Sequence, residues 1–191
     1  MADRPNYHCT KLTFVQLPQF PARLYNITVE KMVFEQAEQL INRAGARFYM
    51  ARDTLAKGSS SYYPEVISAC IDSIELATKA VALCLGGEYP EAHDFGTKKY
   101  EELLGRLRDA WPFEHYPPRR DLARLLNYNS FWATFYARSK YGFEVLRVGA
   151  GELFEKPETQ MALNHAEECN RIARAVLERR RKTLREKPET K

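Results

Sequence analysis

Apolar residues recur at steps of three and four over long stretches of this chain, which is the spacing of one helical face. The clearest stretch runs from Tyr62 to Leu85 and ends at Gly86-Gly87. Pro64 suits its first turn, because the N–H that proline lacks has no helical partner there. The apolar positions are Ile67, Cys70, Ile71, Ile74, Ala77, Val81 and Leu85. The pattern predicts an amphipathic helix that packs in a bundle.

Three further stretches have helical periodicity. They run over about Thr28–Leu55, from Arg119 to Gly142, and from Pro157 through Val176. Gly45 is expected to weaken the first of these helices by about 1 kcal/mol relative to alanine. A shorter helix is expected over Lys98–Ala110.

Evidence for β-structure is confined to Lys11–Leu17, which Pro18 and Pro21 cut off. We therefore predict an all-α fold, an antiparallel bundle of four to five helices with a less regular N-terminal arm. The expected organisation is an arm over residues 1–27, the bundle over 28–177 and a basic tail over 178–191.

Composition narrows the class of protein. With 191 residues, 45% of them hydrophobic, the chain suits one domain with a proper core. No run approaches the roughly 18 apolar residues of a membrane span, and the N-terminus lacks the apolar region of a secretory signal. The four cysteines form no C-x-x-C pair, so neither a zinc site nor a disulfide framework is expected, and Cys70 and Cys84 are predicted to be buried. We expect a cytoplasmic protein without a membrane partner.

The net charge of +4 is mild, but the basic residues concentrate near the C-terminus. The segment 171–187 contains Arg171, Arg174, Arg179, Arg180, Arg181, Lys182, Arg185 and Lys187 against Glu178 and Glu186. This segment is either a solvated helical face or a surface that contacts nucleic-acid phosphates, and binding of the second kind would weaken with salt.

No phosphate-binding glycine loop and no metal-ligand spacing is present, so no cofactor and no metal is predicted. The histidines, His8, His93, His115 and His165, are isolated from one another. His165 is on the apolar stripe of the last helix and is expected in the core or at an interface. The aromatic residues Phe131, Trp132, Phe135 and Tyr136 recur at helical spacing and are expected in the core.

Glu75 and Lys79 are four residues apart on the predicted Tyr62–Leu85 helix, in the order that favours a helical ion pair. One interpretation is a surface pair worth a few tenths of a kcal/mol. The other is a pair buried at a helix–helix seam, where an unmatched charge would be costly. We assign both residues a structural role, together with His93, which is expected to cap a helix or hydrogen-bond into the bundle.

The most suggestive polar cluster is at the end of the third long helix. Arg138 is followed there by Ser139, Lys140 and Tyr141. A guanidinium at this position suits a phosphate or carboxylate, whereas a cation near a helix C-terminus is also favoured by the helix dipole alone. We select Arg138, Lys140 and Tyr141 as candidate ligand-binding residues.

Taken in order, four elements resemble the HEPN domain family, the higher-eukaryote and prokaryote nucleotide-binding domains. They are I-E-L-A-T-K-A at 74–80, the Gly86-Gly87 break, His93-x-Phe95, and the helix end from Arg138 to Gly142. The resemblance covers about 44–142. It implies a helical bundle that often forms homodimers, and that either pairs with a minimal nucleotidyltransferase in toxin–antitoxin systems or interacts with nucleotides or RNA.

Ribonuclease members of that family carry R-x(4–6)-H, in which Arg and His of two protomers meet across the dimer. Arg138 matches the arginine, but the positions open to the histidine hold Phe143, Glu144 and Val145. General acid–base chemistry needs a group that titrates near neutrality, so the hypothesis is a non-catalytic module that dimerises and binds a nucleotide or a partner protein. Two alternatives are an RNA-cleaving toxin with a divergent site around Arg138, and a nucleic-acid binder that uses the basic C-terminal helix.

Overall fold

A computed structural model describes residues 22–85 and 119–186, with side chains for 31–85, 120–182 and 184–185. The only β-structure in these ranges is an isolated bridge between Phe143 and Val148. The predicted all-α class is therefore confirmed. The strand-like run 11–17, the short helix 98–110 and the residues His8, Cys9, His93 and His115 lie outside the described ranges.

The described chain forms six α-helices. They are α1 (Ala22–Leu55), α2 (Tyr63–Cys84), α3 (Arg119–Ala133), α4 (Tyr136–Tyr141), α5 (Ala150–Leu153) and α6 (Lys156–Glu186). Two short 3₁₀ turns, Ser60–Tyr62 and Glu144–Leu146, join them. Pro64 is in the first turn of α2, as the sequence predicted.

Helix α2 is the centre of the bundle. It packs most extensively against α1 and α6, and it also contacts α3 and α4. Sixteen of its 22 residues are buried. These include Val66, Ala80 and Ala82, which are outside the predicted apolar stripe. Because α2 has neighbouring helices on nearly every side, more of its residues are buried than the single predicted apolar stripe contains.

A chain of buried hydrogen bonds joins the three longest helices at the middle of the bundle. The Ser73 hydroxyl of α2 donates to the carbonyl oxygen of Ala44 in α1 at 2.8 Å. The amide nitrogen of Asn170 in α6 donates to the Ser73 hydroxyl at 2.8 Å and to the Ala166 carbonyl at 2.8 Å. Such a chain fixes the register of α1, α2 and α6, because sliding one helix would leave buried polar groups without partners.

Gly45 lies at the same level of the bundle, and α1 continues through it without interruption. A Cβ atom at this position would be 2.8 Å from Arg174 Nη2, so the missing side chain is the space that the Arg174 guanidinium occupies. The glycine therefore permits a close approach between α1 and α6.

The outer helices differ from the predicted boundaries at their free ends. Helix α1 begins at Ala22 rather than near Thr28, since no proline interrupts the chain after Pro21 until the helix has ended. Helix α6 continues to Glu186, so much of the segment expected to be a tail is helical. Arg181 of this extension forms an ion pair with Glu38 of α1 and another with Glu178. Packing against α1 thus extends the bundle into the basic segment.

The third predicted helix is broken into α3 and α4 by a turn at 134–135. The Thr134 hydroxyl donates to the Phe131 carbonyl at 2.7 Å, and the Phe135 amide donates to the Trp132 carbonyl at 3.0 Å. A side-chain hydroxyl that competes for a helical carbonyl favours such a local tightening. The break leaves Trp132 buried, but Phe131 is 46% exposed, so the expectation of a wholly buried aromatic group was wrong there.

The three described cysteines, Cys70, Cys84 and Cys169, are free thiols in the core, as predicted for the first two. Burial raises the pKa of Cys70 and of Cys84 to about 12 and also raises that of Cys169. Their thiolate fractions at neutral pH are therefore very small, and they act as small apolar side chains.

Candidate functional site

Arg138 is exposed on α4, and its guanidinium lies between two aromatic rings. Its Cζ atom is 5.7 Å from the ring centroid of Phe135 and 4.8 Å from that of Phe143. These cation–π contacts orient the side chain without using its N–H donors. Among the described residues Arg138 has no carboxylate partner. The guanidinium is thus held in place with its donors open to an anion.

Lys140 points away from Arg138, because two residues along a helix correspond to a rotation of about 200°. Its Nζ donates to the Tyr136 hydroxyl at 2.6 Å and lies 3.9 Å from the centroid of the same ring. The hydrogen bond to Tyr136 is the main cause that raises the pKa of Lys140. Tyr141 is 78% exposed. The structure therefore does not bring Arg138, Lys140 and Tyr141 together into one site.

Lys140 instead lines a cleft between the end of α1, the start of α2, and the short helices α4 and α5. The cleft has a volume of about 470 Å³, within the range of small-molecule sites. Its lining includes two cations, two carboxylates and three hydroxyls among smaller apolar groups. The lining residues are Arg47, Met50, Ser61, Pro64, Glu65, Ser68, Ala69, Asp72, Ser139, Lys140, Ala150 and Gly151.

Asp72 is the electrostatic link across this cleft. Its Oδ2 atom is 3.7 Å from Arg47 Nε, and its negative charge also contributes to the raised pKa of Lys140. The carboxylate thus pairs with Arg47 of α1 and acts electrostatically on Lys140 of α4. No sequence pattern pointed to Arg47 and Asp72, because they are on different helices and no spacing along the chain connects them.

Glu75 and Lys79 form a buried ion pair on α2, with 2.6 Å between Lys79 Nζ and Glu75 Oε1. Their side chains are only 9% and 10% exposed, respectively. Neither residue lines the cleft. The structure therefore agrees with the second interpretation, a buried ion pair, and not with a surface pair. The position of His93 relative to this pair lies outside the described residues.

A second polar cluster lies between α3 and α6 around His165. The indole Nε1 of buried Trp132 donates to His165 Nδ1 at 3.1 Å. The imidazole stacks on Tyr128, with 3.8 Å between ring centroids and 13° between the planes. The Tyr128 hydroxyl donates to Glu168 at 3.1 Å. His165 thus holds the two helices together as a neutral hydrogen-bond acceptor.

The charge balance around His165 favours the neutral ring. Burial is the main cause that lowers its pKa, the nearby Arg124 lowers it further, and Glu168 opposes them. Glu168 is itself engaged by Arg124, with 2.9 Å between Arg124 Nη1 and Glu168 Oε1. On the same helix Arg171 pairs with Asp121 of α3 at 3.3 Å. The outer charges are therefore paired, and burial together with Arg124 favours the neutral imidazole.

The wild-type protein is expected to lose stability on acidification through His165. Because the folded-state pKa is below the ordinary histidine value of about 6.5, the unfolded chain binds more protons in the interval between them. The contribution is complete above pH ~6.5 and is lost as the pH falls through the folded-state pKa. Urea unfolding at several pH values should show a steeper acid loss for the wild type than for His165→Gln, whose amide accepts from Trp132 but does not titrate. Identical pH slopes would contradict this assignment.

Comparison with known proteins agrees with the helical architecture. A model of the HEPN domain matches residues 37–183, which is more than half of the chain and includes α2 through most of α6. The class of protein is therefore an all-α HEPN bundle, and this chain belongs to the HEPN family. The match extends beyond the segment 44–142 that carried the resemblance in sequence. No curated protein and no solved structure matches the chain.

The described residues, 22–85 and 119–186, contain neither a membrane-spanning helix nor a cluster of metal ligands. None of the helices there is long and apolar enough to cross a membrane. Within the same ranges, no group of three or more His, Cys, Asp or Glu side chains is arranged to hold a metal ion. The cleft around Asp72 and the arginine on α4 are thus the candidate sites in the part of the chain that the structure describes.

Proposed function

We propose that this chain is a non-catalytic HEPN-type module that dimerises and binds a nucleotide or a partner protein, such as a minimal nucleotidyltransferase in a toxin–antitoxin setting. Family membership supports the dimer and the type of partner. The observation that carries ligand binding is the cleft, where Arg47 and Lys140 approach one opening from separate helices.

The chemistry of the cleft suits a phosphate-bearing ligand. The raised pKa of Lys140 keeps its ammonium charged at neutral pH, and the Arg47 guanidinium offers a fork of donors to phosphate oxygens. Ser61 and Ser68 add hydroxyls that can bind phosphate or ribose. Asp72 holds the Arg47 guanidinium in place before the ligand arrives, and its carboxylate can accept a hydrogen bond from a sugar or a base.

A non-catalytic role for the region around Arg138 is supported by the environment of that residue. Phe143, at the first position open to the family histidine, stacks on the arginine instead. Glu144 and Val145, at the other two positions, are exposed. His165, the histidine that the structure describes, uses Nδ1 as an acceptor for Trp132 within the α3–α6 contact. These positions supply no imidazole beside Arg138 for acid–base work on RNA.

The alternative of a nucleic-acid surface at the C-terminal helix is weakened by the ion pairs that the bundle makes. Arg171 is 3.3 Å from Asp121 and 3.8 Å from Glu168. Arg181 pairs with Glu38 and Glu178. Part of the positive charge that stood out in the sequence is therefore neutralised, and the cleft is the better-supported site.

Isothermal titration with ATP, ADP and AMP tests the proposal. We expect Lys140→Ala to weaken nucleotide binding roughly ten- to 150-fold, because one charge-assisted contact is worth about 1.5–3 kcal/mol. The matched control is Lys31→Ala, which removes an exposed lysine from α1. Sedimentation of the wild type alone and with a co-expressed nucleotidyltransferase tests the other two parts. A monomer that binds no nucleotide and no such partner would refute the proposed function.

A further inference from the structure

The chain between α4 and α5 forms a closed loop, here called the 142–149 loop, that holds its shape by its own backbone. The Phe143 amide donates to the Val148 carbonyl at 2.8 Å, and the Val148 amide donates back to the Phe143 carbonyl at 3.2 Å. Inside this pair, the Leu146 amide donates to the Phe143 carbonyl at 3.1 Å. Four residues are thus closed into one tight 3₁₀ turn.

Two residues with positive φ close the turn. Gly142 has φ 69° and ψ −151°, a conformation essentially restricted to glycine. A Cβ atom at this position would lie 2.2 Å from the Val148 carbonyl oxygen. Arg147 has φ 54°, in the left-handed region that costs energy for a residue with a side chain. The loop is therefore a defined structure that carries local strain.

The tip of the loop exposes apolar side chains to water. Val145 is 95% exposed and Leu146 is 68% exposed, and the adjoining Tyr141 is 78% exposed. The other large hydrophobic residues that the described surface exposes reach at most 63%. A turn that leaves both of its central apolar side chains exposed gains no free energy from their burial in the isolated bundle. Such exposure is typical of a surface that binds a partner.

Positive charge surrounds this apolar tip. Arg138 and Arg147 are exposed within ten residues, against the single acidic side chain of Glu144. Neither Arg138 nor Arg147 has an ion-pair partner among the described residues. A complementary surface would therefore present carboxylates around apolar side chains.

We propose that the 142–149 loop docks an acidic segment of a partner protein, with Val145 and Leu146 buried against apolar side chains of that segment and Arg138 and Arg147 paired with its carboxylates. The proposal specifies the partner-binding part of the proposed function. It does not depend on nucleotide binding, because residues 141–149 do not line the cleft. A preformed loop loses little conformational entropy on binding, which favours affinity for a short segment.

Two other kinds of binding partner fit the 142–149 loop less well. A lipid surface needs a second anchor or a larger basic patch for stable attachment, and this tip offers only two aliphatic side chains with Arg138 and Arg147 beside them. Single-stranded nucleic acid binds through aromatic stacking, whereas the tip is aliphatic. Carboxylates beside apolar side chains match both features of the tip.

The probe is a fluorescent helical peptide of about 20 residues, with leucine on one face and glutamate on the other, titrated with the full chain and followed by anisotropy. Matched probes replace its glutamates with lysine, or its leucines with serine. Further titrations use a uridine oligonucleotide and vesicles that contain phosphatidylserine. The test variants are Val145→Ser with Leu146→Ser, and Arg147→Gly, which removes a charge at a position that glycine tolerates. The control is Met32→Ser, at a 63% exposed residue of α1.

We expect the acidic apolar peptide to bind, and the serine pair to weaken it at least tenfold while Met32→Ser leaves it unchanged. Arg147→Gly should weaken it severalfold and reduce its salt dependence. Failure of this peptide to bind, equal binding of the lysine or serine peptides, or tighter binding of RNA or vesicles would each overturn the proposal. So would a wild-type dimer that the serine pair dissociates, since the loop would then contact a second copy. Nucleotide titration of the same variants reports separately on the cleft.

Discussion

Replacing Lys79 with methionine is expected to lower the free energy of unfolding by about 3–5 kcal/mol, the usual cost of removing one partner from a buried ion pair. Lys79 Nζ is 2.6 Å from Glu75 Oε1, and both side chains are about nine-tenths buried. Methionine fills a similar volume, so the loss would report the charge rather than a cavity. Denaturation in urea, followed by circular dichroism, measures the change.

Two variants make this prediction specific. Adding Glu75→Leu to Lys79→Met should recover most of the loss, because an apolar pair of similar volume avoids the desolvation of both charges. Lys31→Met, at an exposed lysine of α1, should change stability by less than about 0.5 kcal/mol. If Lys79→Met cost no more than this control, the buried pair would contribute nothing to the fold.

Replacing Gly142 with alanine should cost about 3 kcal/mol or open the 142–149 loop. The Cβ atom would lie 2.2 Å from a backbone oxygen, at a backbone conformation that alanine strongly disfavours. Backbone atoms cannot move aside as the end of a long side chain can, so the Phe143–Val148 pair would have to separate. Amide hydrogen exchange at Phe143 and Val148, together with urea unfolding, distinguishes local opening from global loss.

Gly58 provides the matched control for this change. Its φ of 77° is close to that of Gly142, but no atom lies within 4 Å of the position of its Cβ. Gly58→Ala therefore measures the dihedral strain alone, expected at about 1 kcal/mol. An equal effect of the two substitutions would show that the contact with Val148 is unimportant.

The sequence was sufficient for the bundle and for most of its core. Helical periodicity located α2 within one residue at each end, and its predicted apolar positions from Ile67 to Val81 are all buried. It was wrong where the fold has a partner on one side only. Phe131 was expected in the core yet is 46% exposed. Periodicity shows that positions share a face but not how far a neighbouring helix extends along it.

The break between α3 and α4 was also missed. At the break the Thr134 hydroxyl bonds to the Phe131 carbonyl at the end of α3. Threonine is common enough inside helices that its presence gives no such signal. The break matters for function, because it separates from α3 the short helix that carries Arg138 and Lys140.

The candidate site was the least accessible to sequence reasoning. Arg138, Lys140 and Tyr141 are neighbours in sequence, but helical rotation separates Lys140 from the other two. The cleft that Lys140 does line combines it with Arg47 and Asp72, which come from two other helices. Only the fold brings these charges together, and no local motif connects them.

The central position of α2 has a consequence for the synthesis of the protein. The ribosome releases α2 while α3, α4 and α6, which cover much of it, have not yet been made. The hydrogen bond between Ser73 and Asn170 joins residues that are 97 positions apart. During that interval the nascent chain presents a helix rich in apolar side chains, shielded only by α1, and it is then most prone to aggregation. Chaperones that bind nascent chains should therefore engage this protein between the emergence of α2 and the docking of α6.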